Sequence, residues 1–209
     1  MKHVTILVGL IAAVLILATV SMAQTGSTIA ALGGTSTIQS APAPDAAVSG
    51  LRGELIKDAN DVEKKITDLA NAIPQEKYSW RPEEGVRSIS EVYAHIAGAN
   101  FMFPGFYGTK AQEGVEKDME KTVTDKGKIL AILKQSFDYL RNAINAVSDA
   151  DLDKSAKMFG EETTVRNVML TTATHMHEHL GQSIAYARSN HIVPPWTAAE
   201  QKAMDEKKK

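Results

Sequence analysis

Residues 164–195 read TVRNVMLTTATHMHEHLGQSIAYARSNHIVPP. Val168, Thr172, His175, His179 and Gln182 follow one another at threes and fours, bordered by Met169, Met176 and Leu180. This is the stripe of an amphipathic helix, begun near Thr164 and run to about His191. Pro194 and Pro195 end it, because a proline ring disfavours helical geometry in the residue before it and removes an amide donor. At about 100° per residue, His175 and His179 stand about 40° apart on the helical wheel, one turn above the other, so both can touch one ion. His177 lies about 200° from each and is expected on the opposite, solvated side.

The same periodicity recurs upstream. Leu51, Leu55, Val62, Ile66, Leu69 and Ile73 mark a first helix stopped by Pro74. Ser88 with Glu91 three residues on forms a capping box that opens a second helix through Val92, His95, Ile96, Ala99 and Phe103, up to Pro104. A third helix starts near Thr124 and buries Ile129, Leu133, Phe137, Leu140, Ile144 and Val147. The stretch 105–123 exceeds the usual helix–helix connection of about 2–8 residues, so it is read as a crossover or as holding a short extra helical piece. Ser148 to Glu162 is read as a polar connection around Met158 and Phe159. No run alternates apolar and polar residues between turn signals, so no sheet is expected. Four apolar stripes define an all-α protein, a four-helix bundle with a long crossover between helices 2 and 3. Metal and cofactor sites in such bundles are built from facing side chains in the core.

The chain has 209 residues, 23 Lys and Arg against 25 Asp and Glu, a formal charge of -2 and no cysteine. Without a basic field it is not a general nucleic-acid binder. Without cysteine it has no disulfides, thiolate metal sites or thiol nucleophile, so any metal must be held by His, Asp or Glu. Lys2 and His3 precede an apolar stretch, Val4 to Val20, and then Ser21-Met22-Ala23. These are the parts of a secretory signal peptide, residues 1–23, cut after Ala23. The protein is accordingly expected to be exported, periplasmic or secreted, with no membrane attachment after cleavage; an uncleaved membrane anchor is the alternative. Residues 24–50 are mostly Ser, Thr, Ala, Gly and Pro with Asp45 as the only charge, a composition that buries too little to order itself and reads as a flexible linker. The folded unit is then 51–209.

On the second helix His95 sits between Val92 and Ala99 with Ile96 beside it, at the edge of the core. Three imidazoles from two helices, His95, His175 and His179, can therefore converge on a divalent metal ion. Two such rings in a core are costly unless something engages them. Imidazole suits zinc, nickel, copper and iron alike, and zinc or nickel is expected here. An H-x-x-x-H pair alone fits any two histidines one turn apart, so the third ring carries the weight. The same residues also spell H-x-x-E-H, the zincin signature with Glu178 as base, but the chain around it lacks the size and strand of those peptidases. For Glu91 and Glu178 a surface position is the better account, which leaves no catalytic base assigned. Gln182, one turn below His179, can hydrogen-bond a ligand or a substrate. Three ligands leave coordination positions open for hydrolysis or group transfer on a small molecule, whereas a fourth from the third helix, such as Gln135 or Asp138, would make a closed, non-catalytic site.

The segments WRPEEGVRSISEVYAHIAGAN and THMHEHLGQSIAYARSNHIVPPW, with the Trp-Arg-Pro turn, the second-helix histidine and H-x-x-x-H-x-G-Q followed by Tyr, Arg and Pro-Pro, resemble the DinB-like superfamily over essentially all of 51–197. The resemblance implies an up-down-down-up bundle, a metal held by His95, His175 and His179, and a tendency to form homodimers. It implies no single substrate: members include thiol-dependent transferases and isomerases, metal-dependent hydrolases and stress-associated proteins. Those that use intracellular thiols are cytosolic, and the export signal departs from them.

Overall fold

Ile66, Leu69, Ile129, Leu133, Phe137 and Val168 are excluded from solvent, and each belongs to one of the apolar stripes that the sequence marks. The computed structural model describes residues 50–208; the signal peptide and all of the linker but its last residue lie outside the described residues. The elements are α1 (Gly50–Ala72), α2 (Ile89–Met102), α3 (Met119–Thr122), α4 (Lys126–Ala146), β1 (Ser155–Met158), β2 (Glu161–Thr164), α5 (Val165–Ser189) and α6 (Pro195–Glu206). The four long helices, α1, α2, α4 and α5, form the bundle, with α1 and α2 each packed on both α4 and α5.

Side-chain contacts fix the directions. Lys126, at the start of α4, donates to the Asn71 and Ile73 carbonyls at the end of α1 (2.6 and 2.9 Å). Arg52, at the start of α1, donates to Asp149 past the end of α4 at 2.7 Å. Those two helices are antiparallel. Leu55 near the start of α1 shares a small hollow with Met169 and Thr172 near the start of α5, and three residues on Asp58 meets His177, so α1 and α5 run together. On α2, His95 meets His179 while Phe103 beyond its end meets His175, so α2 opposes α5. The result is up-down-down-up, as the resemblance implies.

Local chemistry starts the helices. Ser88 Oγ accepts from the Glu91 amide at 3.3 Å and the Glu91 carboxylate accepts from the Ser88 amide at 2.6 Å, the reciprocal capping box expected of that spacing. Asp125 caps α4 by accepting from the Lys128 amide, and Thr164 caps α5 by accepting from the Asn167 amide. The long crossover holds a short 3-10 turn, Phe103–Tyr107, and α3.

Two elements differ from the sequence expectation. The connection before α5 contains an antiparallel hairpin, Ser155 facing Thr164 and Met158 facing Glu161. Its strands are four residues long with one buried side chain, Ala156, too short for alternation to register. Beyond Pro194 the chain is helical again: Pro195 stands at the first position of α6, where its missing amide hydrogen costs nothing. Among the described residues, no helix is long and apolar enough to cross a membrane.

Candidate metal centre

His95 projects from the middle of α2, and His175 and His179 project from one face of α5. Their Nε2 atoms meet: His95 to His175 at 3.1 Å and His179 to His175 at 3.1 Å. The three donor atoms lie within 4.8 Å of one another. His179 is buried, and the other two rings are half-buried at the edge of a cleft. The outward nitrogens of two of the rings are held. His95 Nδ1 donates to Glu120 Oε2 at 2.9 Å. His179 Nδ1 donates to Gln182 Oε1 at 2.8 Å, and the amide of Gln182 donates on to the Tyr186 hydroxyl at 3.1 Å. The Tyr186 ring packs edge-on against Trp80 at 5.4 Å, which ties the Trp-Arg-Pro turn to the histidine helix.

These contacts decide the tautomers. A carboxylate and an amide oxygen only accept, so the protons of His95 and His179 sit on Nδ1 and both Nε2 lone pairs point inward. His175 Nε2 faces both of them and can offer one hydrogen at most, while its Nδ1 is buried with no partner. At most one of the two inward lone pairs can therefore be met by a protein hydrogen, whereas with the His175 proton on Nδ1 a cation between the rings would engage all three Nε2 atoms. Nitrogens bound at about 2.0–2.1 Å to one tetrahedral ion lie about 3.3 Å apart, close to the 3.1 Å seen here. The donor set thus fits a borderline metal ion, and its outer hydrogen bonds are of the kind that orient metal-bound histidine.

Electrostatics favour the neutral, ligand form of His95 and His175. Burial pushes His175 down to about 4, helped by the neighbouring His179 and His95. Burial also lowers His95, opposed by its hydrogen bond to Glu120. Glu120 is partly desolvated, which works against its charge, yet the hydrogen bonds from Arg87 and His95 outweigh this and hold its carboxyl below the usual carboxylate value. Arg87 Nε donates to the other Glu120 oxygen at 2.7 Å.

Among the described residues the cluster contains no fourth ligand. Asp138 is paired with Lys134 and Arg141, and Gln135 lines a separate hollow with Val115, Lys128 and Ile132. Glu178 is exposed and Glu91 is occupied by its cap and by Arg81. His177 is 53% exposed and pairs with Asp58 at 2.9 Å, on the side opposite the cluster. The open side gives onto a cleft of about 560 Å³ lined by His95, Glu120 and His175 together with mostly apolar side chains. A hollow of about 630 Å³ between the hairpin and the end of α4 touches none of the three histidines. Glu120 is the site residue that the sequence did not single out: it lies in the crossover, 25 positions from the ring it holds, and no spacing rule connects them.

The fold is a four-helix bundle whose core carries a three-histidine cluster open to a cleft, an arrangement able to hold a metal ion. The profile of the DinB superfamily matches residues 60–183, and the chain belongs to that superfamily. Three solved structures are similar to it. A DinB-like protein from Bacillus cereus has 16% identity over 69% of this chain and 95% of its own, with a TM-score of 0.59. A DinB-like protein from Bacillus subtilis has 21% identity over 66% and 92%, with a TM-score of 0.53. YfiT from Bacillus subtilis, described as a probable metal-dependent hydrolase with an unusual four-helix bundle topology, has 14% identity over 72% and 94%, with a TM-score of 0.55. At these identities the likeness is one of fold. No curated protein matches the chain significantly.

Proposed function

We propose that this protein is an exported enzyme that holds a divalent ion, zinc or nickel, with His95, His175 and His179 and uses it to hydrolyse, or transfer a group on, a small-molecule substrate. The observation that carries the reading is a three-nitrogen donor set whose remaining side faces a cleft. Such an ion supplies Lewis-acid polarisation and activation of water near neutral pH. The chain's own residues do the rest. Glu120 and Gln182 hold the protons of His95 and His179 on Nδ1, which keeps their Nε2 lone pairs aimed at one point. Arg87 balances the Glu120 charge, so that the carboxylate stays on His95. A bundle whose ion only satisfies a buried polar site would need a closed set, normally four protein ligands, and among the described residues three donor nitrogens converge.

Metal analysis of the native protein, followed by an ester, amide and thiol-transfer screen with and without the ion, tests this. Replacing His95, His175 or His179 with Ala should each lower metal affinity by more than the about 10–100-fold typical of losing an outer hydrogen-bond partner, and turnover should fall with it. His177→Ala, on the Asp58 side, should leave stoichiometry unchanged. Metal retained by all three single variants would remove the site, and stoichiometric metal without turnover on any substrate class would leave the non-catalytic bundle. Export is supported by the basic start, apolar stretch and small-residue cut site before Gln24. An N-terminal mass of the exported chain should begin at Gln24, whereas Met1 retained in a membrane fraction would replace export with anchoring.

A further inference from the structure

Two residues along the cleft go against local conformational preference. Met158 and Glu161 pair across the hairpin, which leaves Phe159 and Gly160 as a two-residue turn with φ of 52° and 96°. Positive φ at both central positions is the condition of a type I′ turn, where Asn-Gly is favoured and a bulky first residue is strained. Phe159 is nevertheless there, and its ring is 67% exposed. It is also positioned: it stands edge-on to Phe106 at 4.9 Å and to Phe103 at 6.2 Å, and Phe103 stands edge-on to His175 at 5.5 Å. The strained turn thus holds an aromatic ring at the mouth of the histidine cleft.

Gly98 lies on α2 one turn after His95, in a helix interior where glycine is less stable than alanine. A Cβ built there would meet nothing within 4 Å, so close packing does not demand glycine. What its bareness keeps is room, because Gly98 lines the same cleft. Met102, one turn further, lines the cleft as well and is 45% exposed. Departures from local preference are expected where a site needs them.

We propose that Phe159, Phe103, Met102 and the space left by Gly98 form the recognition site for an aliphatic or aromatic group of the substrate, with Phe159 as its specificity-determining residue. This rests on the metal reading for where the reacting bond lies, next to His95 and His175. The substrate class is then a small molecule carrying an apolar acyl, alkyl or aryl group beside the bond attacked. Covering exposed apolar surface supplies the binding free energy, and the hairpin fixes how long a group is accommodated.

The test uses the full chain loaded with zinc and a series of alkyl hydroxamates, which chelate the ion through two oxygens while the alkyl chain reports on the cleft. Hexanohydroxamate should bind at least about tenfold more tightly than acetohydroxamate, since a fully buried methylene contributes about fourfold. Phe159→Asn installs the residue that the turn prefers, so it preserves the hairpin while removing the ring. It should leave acetohydroxamate affinity unchanged and abolish most of the chain-length gain. Gly98→Leu, which fills the cleft from a helical position with free space, should do the same. Equal affinity for both hydroxamates in the parent, or an undiminished gain in both variants, overturns the proposal. If the parent takes up no zinc, the metal reading fails separately, and the apolar site is then read on the metal-free chain with 1-anilinonaphthalene-8-sulfonate. Saturable binding weakened by both substitutions supports it, and binding indifferent to both overturns it.

Discussion

Glu120 touches His95 only because α3, a single turn in the crossover, brings it back against α2. Its two oxygens have two jobs, one on the His95 Nδ1 proton and one on Arg87. Replacing it with Ala should free the ring to rotate and leave Arg87 uncompensated, lowering metal affinity by about 10–100-fold, the usual effect of losing an outer partner of a ligating histidine. Glu120→Gln retains an acceptor for His95 and should lose less. Metal titration with circular dichroism on the same samples checks this, and affinities equal to the parent in both variants would show that the contact does not orient the ligand. The three histidines were legible in the sequence because a helix converts spacing into direction: positions 175 and 179 share a face and 177 does not. Glu120 was not, because its placement depends on a crossover whose path is set by tertiary packing.

At the scale of elements, legibility followed the length of the repeating pattern. α1, α4 and α5 each run for more than 20 residues, long enough for apolar positions at threes and fours to exclude another period. α2 is shorter and nearly all of it is buried, so its capping box and the Pro104 stop carried the reading more than its periodicity did. The hairpin was invisible for the opposite reason: four residues a side, one of them buried, joined by Phe-Gly where the strongest hairpin signal is Asn-Gly or Asp-Gly. The residue that hid the turn from the sequence is the one placed over the cleft, so the local irregularity and the proposed substrate contact are the same fact. α6 went unseen because two prolines read as a stop; the second is tolerated only as the first residue of a new helix.

Across the whole molecule, the apolar stripes of all four long helices close on one core, from Leu55 at the start of α1 through Tyr93 and Phe137 to Ala187 near the end of α5. Within it Leu69, Ile96, Leu133 and Val168, one from each long helix, are excluded from solvent. Some of the core's buried polar groups are paired locally, the Tyr78 hydroxyl donating to the Ala70 carbonyl at 2.8 Å and the Asn100 amide to Ser136 at 3.2 Å, while the Tyr93 hydroxyl and Asn100 Oδ1 are buried without a partner. A chain of residues 51–209 should therefore fold by itself into a predominantly helical protein, with a melting temperature equal to that of the chain beginning at Gln24. Stability depends on buried apolar area and satisfied hydrogen bonds, and a segment mostly of Ser, Thr, Ala, Gly and Pro adds little of either. Far-ultraviolet circular dichroism and thermal melts of the two chains check this. A fragment that stays unfolded, or melts well below the longer chain, would mean that residues 24–50 contribute to the core and that the boundary at Leu51 is misplaced. Equal melts would establish the bundle as an autonomous carrier of the histidine site, with the upstream residues free to serve delivery alone.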